Sequence, residues 1–182
     1  MIQIVFAHAQ TKSPLAPFGN GDSLPWPHCR QDLHMFKETT KGTVLVMGSK
    51  TFQSLPGKLP GRPHVVLTNS GLTPEAKDGS VADWYAKGPL EEILGNIEEE
   101  YPGMDISIIG GAGLIIDALP YADKVVKTTI WTKEELESDV KIDLTKVFLK
   151  FPQSISETTL LPADDSVIEM IIVREYEAWK TA

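Results

Sequence analysis

A single cysteine, Cys29, stands in the 182-residue chain, so no disulfide can close within it. No apolar run approaches the roughly 20 residues a membrane-spanning helix requires. The first residues, Met1-Ile2-Gln3-Ile4-Val5-Phe6-Ala7, carry neither the basic stretch nor the small-residue cleavage site of an export signal. These absences predict a cytoplasmic protein with no membrane partner. Positive charge is also short, with 17 Lys and Arg against 25 Asp and Glu, a net charge of −8. That balance argues against nucleic acid as a partner, because phosphate binding needs an opposing positive field. Any anionic ligand must be held by local groups. With 14 Gly, 13 Pro and no internal repeat, the chain is neither a fibre, a repeat array nor a disordered tail. At 42% hydrophobic residues it reads as a single domain over residues 1–182. A domain of this length buries about 70% of the surface its unfolded chain exposes.

Several catalytic signatures are missing too. His8, His28, His34 and His64 are scattered, with no His-Glu-x-x-His and no second thiol, so no metal is expected. No Gly-x-Ser-x-Gly elbow starts a hydrolase triad. Gly48-Ser49-Lys50-Thr51 looks superficially like a triphosphate loop, but Ser49 separates the glycine from the lysine and Val44-Leu45-Val46-Met47 before it reads as strand. Across Ile109-Gly110-Gly111-Ala112-Gly113-Leu114 no Gly-x-Gly-x-x-Gly can be written. Both segments are nevertheless strand-to-helix junctions that leave backbone N–H groups free for an anion. A plain capped helix or a tight turn is the alternative reading of each.

What is present is an alternation of apolar, β-branched runs with helical patterns. Residues 2–7, 43–47, 64–68, 106–109 and 125–130 read as strands. Most lack polar alternation, as strands covered on both faces do, and helices between them point to an α/β class with a mainly parallel sheet. Residues 30–39, 49–55, 90–101 and 114–119 read as helices, the third with its glutamates on a solvated face. Residues 155–160 and 167–176, around a turn at Pro162-Ala163-Asp164-Asp165, predict a C-terminal antiparallel hairpin. Residues 14–23, with two prolines and two glycines, form the longest early loop, and loops on a rigid sheet are where ligands usually bind.

After Leu24-Pro25-Trp26, the helical segment puts Asp32 on a face adjoining Leu33 and Phe36. One reading is a first-turn acid favoured by the helix dipole and facing water. The other is an acid in an apolar cleft with a raised pKa, able to grip a cationic heterocycle.

In order, Leu24-Pro25-Trp26, Asp32-Leu33-x-x-Phe36-Lys37, Val46-Met47-Gly48-x-x-Thr51-Phe52-x-Ser54-Leu55, Leu59-Pro60-Gly61-Arg62 and Ile109-Gly110-Gly111 resemble the dihydrofolate reductase family over nearly the whole chain. The resemblance implies NADPH as cofactor and dihydrofolate as substrate, with hydride passing to C6 and a proton to N5. Antifolate inhibitors are implied as ligands. Asp32 would bind the pterin's amino group and ring nitrogen, Trp26 would help hold a proton-delivering water, and Leu24 would stand at the reacting rings. Val5, Phe6, Leu33, Phe36, Ser54, Leu59, Ile109 and Thr128 would line the substrate site, and Arg62 would bind the glutamate tail. Gly48, Ser49, Lys50 and Thr51 at one junction, and Ile109, Gly110, Gly111, Ala112, Gly113 and Leu114 at the other, would hold the cofactor. Thr68 and Asn69 would meet its adenosine side, Ala7 its nicotinamide amide, and Phe18, Gly19, Asn20 and Leu24 would belong to a lid over it. A cis peptide is implied at Gly110-Gly111.

The chain departs from the family pattern in three places. Ser49 stands where an Arg is common, Ile115 where a Tyr is usual, and one extra residue separates Trp26 from Asp32. The acidic stretch before Tyr101 and the 14–23 loop are similar to divergent versions carried by tailed bacteriophages. Two alternatives stay open: a riboflavin-pathway pyrimidine reductase of the same fold, and a non-catalytic folate- or nucleotide-binding component.

Overall fold

The computed structural model describes residues 1–162 and 167–178. Along the chain run β1 (Ile2–Ala9), β2 (Leu15–Gly19), α1 (Arg30–Thr39), β3 (Val44–Gly48), α2 (Ser49–Ser54), β4 (His64–Leu67) and β5 (Trp84–Ala86). Then come α3 (Leu90–Glu100), β6 (Ile106–Gly110), α4 (Ala112–Ala118), β7 (Lys124–Thr132), β8 (Val140–Asp143), α5 (Leu144–Lys150), β9 (Ser154–Leu160) and β10 (Ile168–Glu177). Eight strands form one sheet in the order β5-β4-β3-β6-β1-β7-β10-β9, while β2 and β8 pair separately. From β5 to β7 every neighbour is parallel; β10 is antiparallel to both β7 and β9.

Strand alternation divides the interior into two cores. In β3, Val44 and Val46 pack on one side with Ile4, Ile106, Ile108 and the inner face of α3, while Leu45 and Met47 pack on the other with Val5, Phe52 and Trp26. Both faces of the central strands are therefore dry, which is why their sequence shows no polar alternation. On α3, Ile93, Leu94 and Ile97 face the first core and Glu91, Glu92, Glu98, Glu99 and Glu100 are exposed, the arrangement its stripe predicts.

The structure adds elements that the pattern reading left as loop. Within residues 14–23 lies β2, paired with β8 so that Ala16 stands opposite Ile142 and Pro17 opposite Lys141. Helix α5 is capped by the Asp143 side chain, which accepts from the Thr145 N–H at 3.0 Å. Strand β5 has three residues, too few for periodicity to register. Helix α4 begins at Ala112, two residues before Leu114, and Pro120 sits in a 3₁₀ turn at Leu119–Tyr121. The hairpin is present as β9 and β10, although Ala163, Asp164 and Asp165 of its turn lie outside the described residues. Among the described residues no helix is long and apolar enough to cross a membrane.

Candidate active site

The carboxyl ends of β3 and β6 lie side by side, and each strand turns there directly into a helix. In parallel α/β sheets such ends form the ligand-binding crevice. The N-caps of α2 and α4 are Gly48 and Gly111, and neither helix carries a side-chain cap, which leaves the first N–H groups of both unclaimed by side chains. The junctions touch: a Cβ on Gly48 would stand 3.9 Å from the Gly111 nitrogen. Gly110 has φ +143 and a Cβ there would meet Thr51 Oγ1 at 3.1 Å and Phe18 Cζ at 3.7 Å. Only glycine fits a backbone held in that region and so close to a neighbour. The Gly110-Gly111 peptide is cis. Ser49 donates its hydroxyl to the Leu67 carbonyl at 3.1 Å, tying α2 to the end of β4, where Thr68 is buried and Asn69 exposed. Lys50 is exposed at the same edge, as is Gly113 at the start of α4, while Ala112 and Leu114 are half-buried.

On the second core's side, Val5, Trp26 and Ile109 form an apolar wall completed by Ala7, Phe36, Leu55 and Leu59. Asp32 is the one buried residue of α1, 8% exposed, so the apolar-cleft reading holds and the water-facing one does not. Desolvation pushes its pKa up to about 6, against an opposing pull from the Trp26 indole. Thr128 projects from the same face of β7 as its buried neighbours Val126 and Ile130. Ser54 is half-buried and donates to the Thr51 carbonyl at 2.6 Å. One expectation needs correction. Phe6 belongs to the opposite core, with its ring 6.4 Å from Phe18, because alternation along β1 turns it away from Val5. Leu33, next to Asp32 on α1, is 46% exposed, which leaves its side chain open to a ligand. Ile115 is fully buried in the first core.

Arg62 is 9% exposed, and burial lowers its pKa. It donates from Nη1 to Thr40 Oγ1 at 2.9 Å and from Nε to the Pro60 carbonyl at 3.2 Å; Thr40 in turn donates to the Phe36 carbonyl. No carboxylate pairs with it among the described residues. The guanidinium is thus held at the end of the helix that carries Asp32, with its charge uncompensated.

Strand β2 forms the near half of the 14–23 segment, and its tip turns at Asn20, whose N–H donates to the Ser23 carbonyl at 2.9 Å. Gly21, at φ +62, supplies the left-handed step. Two residues that motif reading missed pin this segment. The Asp139 carboxylate accepts the Gly21 N–H at 3.0 Å on both oxygens, and Ser138 donates its hydroxyl to the Gly19 carbonyl at 2.8 Å. No local signal could have found them, because their partners lie more than a hundred residues away along the chain. Leu24, after the tip, is exposed. Asp139→Ala removes that acceptor, and amide exchange at Gly21 should then quicken about tenfold, the equivalent of about 1.4 kcal/mol for a charge-assisted bond. Unchanged exchange would show that the segment does not depend on it.

Among the described residues no cluster of three or more His, Cys, Asp or Glu is arranged to hold a metal ion. A family model described as dihydrofolate reductase matches residues 1–151. Dihydrofolate reductase type 8 of Escherichia coli is 31% identical over 137 residues, covering 75% of this chain and 79% of that protein. The dihydrofolate reductase of Mycobacterium tuberculosis is 33% identical over 133 residues, with 71% of each chain covered. Among solved structures, dihydrofolate reductase from Enterococcus faecalis complexed with NADP(H) and RAB-propyl superposes with a TM-score of 0.77 at 24% identity, over 99% of this chain and 97% of that one, and so shares the fold. By the family match and by these relatives, the chain belongs to the dihydrofolate reductase family.

Proposed function

We propose that this protein reduces 7,8-dihydrofolate to 5,6,7,8-tetrahydrofolate, taking NADPH as cofactor. The observation that carries the reading is Asp32, a carboxyl group buried in an apolar wall with its pKa near neutrality. Such a group binds the amino group and ring nitrogen of a pterin and favours the protonated ring that accepts hydride. Trp26 packs in the same wall and acts on that carboxylate, in keeping with a role in holding the proton-delivering water. The apolar wall of Val5, Phe36, Leu59 and Ile109 suits the pterin and benzoyl rings. Arg62, cationic and without a carboxylate of its own, suits the glutamate tail and disfavours a substrate lacking an acidic tail, such as that of the riboflavin-pathway reductase.

The crevice fits a dinucleotide phosphate. Two uncapped helix starts meet at Gly48 and Gly111, and glycine backbone keeps Cβ atoms out of the space between Thr51, Gly110 and Phe18. Gly48, Ser49, Thr51 and residues 110–114 would hold the phosphates there, and Lys50, Thr68 and Asn69 would hold the adenosine side. When bound, the reduced nicotinamide supplies the hydride. The chain's contribution would be to hold cofactor and substrate rings together, keep Asp32 dry and exclude water under the 14–24 loop. Lys50 is the cation at that edge in place of the more usual arginine at position 49, so it carries the preference for the 2′-phosphate.

The test follows reduced-cofactor absorbance with dihydrofolate and catalytic amounts of protein, for cofactor with and without the 2′-phosphate. Many turnovers per molecule, faster with the phosphorylated form, are expected. A folded protein that binds both ligands without turnover would overturn the reading in favour of a binding-only role.

A further inference from the structure

The segment that presents Leu59 and Arg62 hangs on one imidazole. His64, first residue of β4, is fully buried. Its Nε2 accepts the Leu59 N–H at 3.0 Å, and its Nδ1 lies 2.8 Å from the Arg62 carbonyl. Both ends of residues 59–62 are therefore fastened to the same ring, across a turn whose Gly61 has φ +71. The ring itself cannot drift. The His64 N–H donates to Asp83 Oδ2 at 2.7 Å, its carbonyl accepts the Asp83 N–H at 3.0 Å, and Phe52 lies 6.1 Å away, centre to centre. Lys58 binds the other Asp83 oxygen at 2.6 Å, so the carboxylate is already neutralised and stands 3.9 Å from Nδ1, beyond hydrogen-bond reach.

This geometry admits one protonation pattern. A carbonyl on one side requires an N–H at Nδ1; an amide N–H on the other requires a lone pair at Nε2. A ring protonated at both nitrogens would set two N–H groups against each other at Leu59, and burial favours the neutral form as well.

We propose that His64, as the neutral Nδ1–H tautomer, is a positioning residue for substrate-tail recognition: by clasping Leu59 and Arg62 it sets where the Arg62 guanidinium meets the tail carboxylate. The inference rests on the proposed reaction and deepens it. The chain of contact is continuous, from the imidazole to the Arg62 main chain, and from the guanidinium to Thr40 and the end of α1. Losing the clasp should release the loop and affect the tail while leaving the pterin wall in place.

The test compares KM for dihydrofolate with KM for a dihydropterin lacking the benzoylglutamate tail, in Arg62→Leu, His64→Phe, His64→Gln and the Arg62→Leu/His64→Phe double variant. Phe keeps the ring volume and loses both bonds; Gln keeps an acceptor near Nε2. With dihydrofolate, Arg62→Leu should raise KM about tenfold to a hundredfold, as for loss of a charge-assisted bond. His64→Phe should raise it about threefold to tenfold, by KM rather than kcat, with His64→Gln between it and wild type. The double variant should be no worse than Arg62→Leu alone, because the two residues act on one contact. The tail-free substrate should show none of these effects.

An equal rise for both substrates, or additive effects in the double variant, would overturn the positioning role while leaving the reaction intact. A silent Arg62→Leu with active wild type would instead remove the tail reading itself. Should the His64 variants not fold, imidazole ¹⁵N resonances of the wild-type protein decide: an Nδ1–H tautomer that shifts when p-aminobenzoylglutamate is added supports the proposal, and an Nε2–H tautomer or an unmoved signal refutes it.

Discussion

Asp32→Asn should lower turnover by about 10²- to 10⁴-fold, the range for loss of a positioned acid or base, and should at the same time make the folded protein more stable at neutral pH. Both effects have one cause. The carboxyl group is taken out of water, and its pKa rises from 3.8 to about 6. Folded protein therefore holds the proton more tightly than unfolded chain. Below about pH 4 the group is protonated in both states and costs nothing. Between about pH 4 and 6 the unfolded chain ionises first, so stability is lost as pH rises, and above 6 the loss is constant. The rise from 3.8 to about 6 corresponds to about 3 kcal/mol. Urea unfolding of both proteins at pH 3 and pH 7.5 measures it. The midpoints should coincide at the lower pH and separate at the higher, with the variant above. Coincidence at pH 7.5 would mean that Asp32 is solvated, and the mechanism would lose its main support.

Lys127→Met should stabilise the protein by about 3 kcal/mol at pH 7, and the gain should disappear by about pH 10.5. Lys127 is 3% exposed in the middle of β7. Its Nζ meets His8 Nε2 at 3.4 Å and Thr129 Oγ1 at 3.3 Å, and lies 5.3 Å from the centre of the Phe148 ring and 5.9 Å from that of Tyr176. No carboxylate reaches it among the described residues, and Arg174 on β10 stands directly opposite in register. The two rings return part of the lost hydration. The net effect lowers its pKa from 10.5 to about 8, through burial first and Arg174 second. Here the folded state holds the proton more weakly. The penalty is full below pH 8 and is relieved as pH climbs to 10.5, where the unfolded lysine also loses its charge. Denaturant midpoints from pH 7 to 10.5 should rise for wild type relative to Lys127→Met. Parallel curves would show that the ammonium is better solvated than its surroundings imply. His8, held near 4 by burial and by this neighbour, should titrate closer to its ordinary value once the lysine is gone.

Much of the fold was legible because its central strands are covered on both faces, and continuous apolar runs such as Val44-Leu45-Val46-Met47 mark that condition directly. The α3 stripe was equally plain. What escaped depends on distant partners. Nothing local says that Leu15-Ala16-Pro17 is a strand; it becomes one only against Lys141 to Asp143, and its proline argues the other way. Helix α5 was readable in principle, from a capping Asp143 followed by Leu144, Val147 and Phe151 at helical spacing. Motif order singled out the Asp32 helix, the Arg62 turn and the two glycine junctions as parts of the proposed site. Only coordinates could settle whether Asp32 faced water, that Phe6 turns to the opposite core, that Asp139 bonds the Gly21 N–H, and that His64 bonds both ends of residues 59–62.

The position of β1 has a consequence for how this protein comes into being. It is made before the other strands yet sits deep in the sheet, with Ile2 opposite Ile106 on one side and Gln3 opposite Lys124 on the other. A growing chain therefore carries an apolar strand with both edges bare until well over half of its length has been synthesised. Such long-range pairing makes folding slow and leaves unpaired edges open to wrong partners. The 14–23 segment waits longer still, since β2 gains its partner only when β8 emerges. Catalytic competence and protection from aggregation thus arrive together and late, and chains cut short before β7 are the ones most dependent on chaperones.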